Sequence, residues 1–348
     1  MRTEFAGERR AEGLTRVDWK SRGGTGRGWR TATAPVALGL TLALLVAGTS
    51  SCHRGGSAGV FVDPAFVPLI PPDSQMLAGV RLEKLRATEL YRKYRAELPL
   101  TMLEEFKQRT GLDPEKDVWE VLIAGSRTDV LVLVRGHFEI GEMQPKLEGL
   151  GTRRFSYKGR ELAGDERYAV TFLNPGVAAA GRAASLRALI DRQDQPGRMP
   201  PALAAKVASV PKDAQVWAVA TGGIPQFGFL AQRDDIQSIL ENFTRFVAGA
   251  MVSVEVSDGL NLQGQVDCSS EEGVKRVKDT MRGVIGLARL TTKTEESDLL
   301  RLYDAIEVTA DGNAVKVAAK VSPDLVPKLF ALVRGRPGMG SVPGVPAE

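Results

Sequence analysis

Two stretches, Pro72-Asp73-Ser74-Gln75-Met76-Leu77-Ala78 and Pro211-Lys212-Asp213-Ala214-Gln215-Val216-Trp217-Ala218, repeat one pattern. Each has a proline-containing turn, an Asp, and a Gln leading into an apolar strand. They lie about 139 residues apart. A similar order of elements follows each, and self-similarity at one spacing marks a repeated unit. The expected fold class is therefore α+β, with two similar halves arising from an internal duplication. Each half is expected to be an antiparallel or mixed sheet packed with amphipathic helices.

Working outward, the first half reads as helices at 88–98 and 101–109, strands at 118–124 and 130–138, and a helix at 142–150. Strands at 153–157, 161–163 and 168–173 and a helix at 178–191 complete it. The second half reads as a helix at 235–248, strands at 251–256 and 260–266, and a helix at 270–290. Strands at 302–309 and 314–321 and a helix at 323–334 close it. Ile236, Ile239, Leu240, Phe243, Phe246, Val247 and Ala250 follow the spacing of one helical face. Val315, Val317, Ala319 and Val321 alternate with Lys316, Ala318 and Lys320, the period of a half-buried strand. Asp258-Gly259 and Asp311-Gly312 are hairpin signals. The continuous run Val130 to Val134 suggests a central strand buried on both faces.

The charge of the chain is uneven. Residues 1–52 carry eight of its 46 basic residues and four of its 42 acids, which leaves 38 of each in the body. A neutral body lacks the basic surface that phosphate backbones require, so no nucleic-acid partner is expected. Two His and two Cys leave little for metal sites or for thiol and imidazole catalysis. No cofactor or metal is expected.

The leader has the parts of an export signal. A basic, Gly-rich stretch to Arg30 precedes the apolar run APVALGLTLALLVAG from Ala34 to Gly48. That run is shorter than the roughly 20 residues a spanning helix needs. Small residues and a Cys follow it, Thr49-Ser50-Ser51-Cys52. This ending resembles the lipobox of bacterial lipoproteins, although that family prefers Leu where Thr49 stands. The resemblance implies that Cys52 is lipidated and begins the mature chain. The implied location is the cell envelope, membrane-anchored and facing the periplasm. His53 after the Cys favours the outer membrane under the family's sorting rule. The organisation reads as leader and apolar segment 1–51, flexible tether 52–72, first half 73–191, linker and connecting helix 192–210, second half 211–333 and disordered tail 334–348.

Candidate chemical groups are few. His137 needs a nucleophile and an orienting acid within reach to act as a base, and no G-x-S-x-G motif supplies one. Cys268 reads as a small buried apolar residue. Thr110 to Val118 reads as a helix stop at Gly111 and a new turn at Asp113-Pro114. The pairs Asp165-Glu166, Glu271-Glu272 and Glu295-Glu296 read as solvated surface, with Glu271-Glu272 suited to a helix start. Ser21 to Gly28 lacks the ending of a phosphate loop.

Three further features resemble uncharacterised exported bacterial proteins of a domain-of-unknown-function type. They are Pro71-Pro72-Asp73-Ser74, the Gly111 to Trp119 element, and the strand end Val134 to Phe138. The resemblance implies export and an α+β fold and transfers no catalytic residue. The leading expectation is a non-catalytic, membrane-anchored binding or scaffolding protein. Its partners would be the membrane, through the lipid on Cys52 or the apolar segment, and an envelope protein or apolar ligand. One alternative is a periplasmic carrier with an apolar cavity under Ile236 to Val247. Another is a hydrolase that draws on Asp73, Asp113, Asp213 and His137.

Overall fold

A computed structural model describes residues 59–97, 101–138, 146–147, 153–165, 167–192, 197–222, 245–293 and 295–329. Cys52, the leader and the tail lie outside them. The first half contributes strands β1 (Met76–Arg81), β2 (Val118–Gly125), β3 (Val130–Gly136), β4 (Arg153–Tyr157), β5 (Arg160–Gly164), β6 (Tyr168–Asn174) and β7 (Val177–Arg182). The second half contributes β8 (Val216–Thr221), β9 (Val247–Val256), β10 (Leu260–Cys268), β11 (Ile306–Asp311) and β12 (Ala314–Val321).

These strands form one continuous sheet in the order β11-β12-β10-β9-β8-β1-β2-β3-β7-β6-β5-β4. Every pairing is antiparallel. The two sheets expected from the sequence are therefore one. The two quoted stretches lie side by side at its centre, with Ala78 opposite Ala218.

Their hydrogen-bond donors match in pairs 140 residues apart. Ser74 and Ala214 donate to Pro71 and Pro211 at 3.1 Å each. Gln75 donates to Gly125 of β2, and Gln215 to Val254 of β9, at 2.8 and 3.0 Å. Arg81 donates to the Gln215 carbonyl, and Thr221 to that of Gln75, at 2.7 and 2.8 Å. The Gln215 amide also accepts from Val256 N at 2.6 Å and donates to its carbonyl at 3.3 Å. Its buried polar groups are thereby satisfied.

Two layers cover the sheet. On one face, helices α5 (Ala183–Arg192) and α6 (Pro201–Ser209) pack with residues 59–70 over Leu77, Leu122, Leu133 and Trp217. Those N-terminal residues were expected within the tether. Val60, Val62, Phe66, Leu69 and Ile70 are instead buried in the core, and we call this segment the strap. On the other face, the second half is covered by α2 (Glu89–Tyr94), α7 (Glu271–Thr291), α8 (Ser297–Asp304) and residues 326–329. Leu90 and Tyr94 thus follow β1 in sequence yet pack on second-half strands, and the Tyr94 hydroxyl donates to the Pro323 carbonyl. Beside β2 lie α1 (Leu82–Ala87) and α4 (Pro114–Asp117), with α3 (Thr101–Thr110) between them in sequence.

Local chemistry explains several boundaries. Thr88 caps α2, its hydroxyl accepting from Tyr91 N. Gly111, at φ 78°, ends α3 in the left-handed conformation. Asp113 caps α4 ahead of Pro114. Lys158-Gly159, at φ 48° and 76°, forms the two-residue turn between β4 and β5.

Four further expectations are corrected. Ala178 to Arg182, expected to start a helix, lie on β7, which is inserted between β3 and β6, and only Ala183 onward is helical. The helical propensity of three alanines yields there to hydrogen bonds from two flanking strands. Val247 and Ala250, assigned to a helical face, lie on β9. The residues to 244 that the sequence assigns to that helix lie outside the described ones, as do most of 142–150. Leu302, expected in a strand, is the buried residue of α8, and β11 begins at Ile306. The run Val130 to Val134 alternates in burial, with Leu131 and Leu133 fully covered.

At the sheet centre, Gly79 faces Trp217 across the β1–β8 pair. A Cβ on Gly79 would overlap the Trp217 ring, which is 1% exposed. Gly79→Ala is expected to destabilise the protein by about 1–3 kcal/mol through overpacking, measured as a lower urea midpoint.

Candidate functional site

Strand register places three charged side chains in one row on the strap-covered face. Arg81 of β1 is opposite Glu120 of β2, and Glu120 is opposite Arg135 of β3. Each arginine is engaged elsewhere. Arg81 donates to the carbonyls of Lys212 and Ala214 at 2.7 and 3.4 Å, holding the turn before β8. Arg135 donates to Asp63 Oδ2 in the strap at 3.1 Å and to the Gly176 carbonyl at 2.7 Å. Asp63 is itself ordered by Ala65 N, which donates to its other oxygen at 2.8 Å.

Glu120 lies between the arginines with its buried Oε1 unpartnered. Burial, and then the like charge of Asp63, push its carboxyl up to about 7, against the pull of Arg81, Arg135 and Lys84. A second orphan lies on the same face, the Trp217 Nε1 above Gly79. Buried polar atoms are satisfied almost everywhere in folded proteins, so two on one face mark the least settled part of this core. A carboxyl poised near neutrality between two cations can take up and release a proton. Its buried oxygen can also accept a hydrogen bond.

The residues singled out in the sequence lie apart from this row. His137 is exposed, and its backbone N–H donates to the Asp117 carbonyl at 2.7 Å. Asp73 and Asp213 are exposed on the turns before β1 and β8. Asp113 caps α4 and pairs with Lys107 at 2.8 Å. Among the described residues, no hydrogen bond or ion pair joins any two of these four side chains. Asp165 accepts from Arg167 N and Tyr168 N in a surface turn. Glu271 and Glu272 are exposed at the start of α7, and Glu296 accepts from Lys293 N. Glu166 lies outside the described residues. Cys268 is a buried free thiol whose pKa is raised by burial and then by Asp267, which opposes thiolate chemistry. Among the described residues no cluster of three or more His, Cys, Asp or Glu could hold a metal. The carrier cavity was placed under residues that, apart from 245–247, are not described. Cys52 also lies outside the described residues.

Sequence reasoning missed Glu120, although it left a signal. An acid interrupts Val118-Trp119-Glu120-Val121-Leu122-Ile123, an apolar strand. Arg135 likewise closes the run Val130 to Val134.

The folded state holds the Glu120 proton more tightly than an unfolded chain at its ordinary value. This group's contribution to stability is therefore fully present below about pH 4.5 and is lost as pH rises through about 7. The urea midpoint is expected to fall between about pH 5 and about pH 8 in the wild type, and to fall less in Glu120→Gln.

No family model matches the chain, and no curated protein matches it. Among solved structures, crystal forms I and III of TP0453 resemble it with TM-scores of 0.42 and 0.44, each at 10% identity. Each comparison covers 78% of this chain, and 98% or 99% of the other. No residue role is carried over at that similarity.

Proposed function

We propose that this protein is a membrane-anchored cell-envelope lipoprotein with a non-catalytic binding role, tethered through Cys52. The apolar run from Ala34 to Gly48, followed by small residues and Cys52, supports the anchor, and the outer surface of α7 supports the binding role. Val274 and Val277 of α7 are buried on the sheet, and Met281 and Ile285 are half-buried. Val284, Leu287 and Leu290 instead face outward, exposed by 55%, 63% and 85%. Apolar side chains grouped in this way mark interaction surfaces. Gly283 and Gly286 in the same turns have nothing within 4 Å of an added Cβ. Glycine weakens a helix interior, and the chain's own packing does not require it here. The partner is an envelope protein with an apolar face.

An internal duplication accompanies this reading. The order β1-β2-β3-β7-β6 parallels β8-β9-β10-β12-β11, with the β4–β5 hairpin an addition to the first half. The hydrogen-bond donors that match at a spacing of 140 support it.

Intact mass and membrane fractionation test the anchor. The mature chain is expected to begin at Cys52 with an acyl increment and to sediment with membranes, and Cys52→Ser to abolish both. An unmodified soluble wild-type chain would overturn the anchor. For the surface, Leu287→Glu with Leu290→Glu should leave stability within about 0.5 kcal/mol per site, because both side chains are exposed. The pair should abolish crosslinking to the envelope partner.

A further inference from the structure

We propose that Glu120 is a proton-operated release for the strap, with Arg135 as the group exchanged. In the protonated state Glu120 is neutral, and Arg135 is held by Asp63 of the strap. When the carboxyl gives its proton to water, the carboxylate lies opposite Arg135 and beside Arg81 with an unpartnered buried oxygen. It then competes with Asp63 for the Arg135 guanidinium and repels the Asp63 carboxylate.

Four charged groups act on Glu120, each from a different element. They are Asp63 from the strap, Arg81 from β1, Arg135 from β3 and Lys84 from α1. Arg81 is the less available cation, because two carbonyls of the turn before β8 hold it. Arg135 has one carbonyl partner, the Trp119 ring with its centroid 5.7 Å from the guanidinium carbon, and one strap carboxylate, and the carboxylate is the partner that ionised Glu120 displaces. The release is local. Phe66, Leu69 and Ile70 are buried beyond Asp63 and keep the rest of the strap in place. The part set free is residues 60–65, held by Val60 N donating to the Val210 carbonyl at 3.0 Å, by the Asp63 turn and by the buried side chains of Val60 and Val62, which opening exposes. If the chain is anchored through Cys52, as proposed above, freeing these residues lengthens the tether by roughly 20 Å. The release itself does not depend on that anchor.

Hydrogen exchange on the full chain tests this. After correction for intrinsic rates, opening of the amides of Val60, Ala65 and Phe66 is expected to increase about tenfold or more from about pH 5.5 to about pH 8.5. Glu120→Gln should remove that increase and keep these amides protected throughout. Asp63→Asn should leave them open at both pH values. The amides of Leu131 and Leu133 in β3 report whether each variant remains folded. A wild-type strap with pH-independent opening would overturn the proposal, as would an unchanged increase in folded Glu120→Gln. Neither result bears on lipidation at Cys52, which the mass measurement reads separately.

Discussion

Antiparallel pairing of β1 with β8 holds the rest of the molecule in place. Without it, each half would expose a row of unpaired N–H and C=O groups, the hazard of every open edge. With it, twelve strands share one ladder, and both faces are available to elements from either half. The pairing depends on close approach at one point, where the Trp217 ring lies above Gly79. A large aromatic here fills the space over two adjacent backbones and ties the strap-side core together.

That closure sets the charged row. Once β2 and β3 follow β1 in register, Glu120 lies between Arg81 and Arg135 at the edge of an apolar layer. An arginine in such a place is stable because carbonyls and a carboxylate satisfy its fork of donors. A carboxyl there has no donor, and burial favours its neutral form. Natural sequences break local rules at few places, and a break without compensation is where function is sought. Here the uncompensated group faces Asp63 of the strap.

Much of the architecture was legible because it rests on local periodicity. The alternation of Val315 to Val321 places β12, and the capping pattern around Asp113 places α4. The same reasoning failed where neighbours outweigh propensity. Val177 to Arg182 has the composition of a helix, but it fills a strand position between β3 and β6. Leu302 is apolar in a mixed run, and it enters one core cluster with Val326 and Leu329 from a helix. The candidate site was the least legible part. Glu120, Arg135, Asp63 and Trp217 are dispersed along the chain, and only sheet register brings them to one face.

Sequence alone determined the element types of the long periodic segments, the turn chemistry, the neutral charge of the body and the matching leads into β1 and β8. These are properties of neighbouring residues, encoded by side-chain period and backbone preference. Tertiary structure alone decided that two halves share one sheet, that the strap joins the core, and that Glu120 lies between two arginines already committed elsewhere. Those outcomes depend on which distant strands pair. Pairing is decided by the burial and hydrogen bonding of the whole chain, which no local window contains.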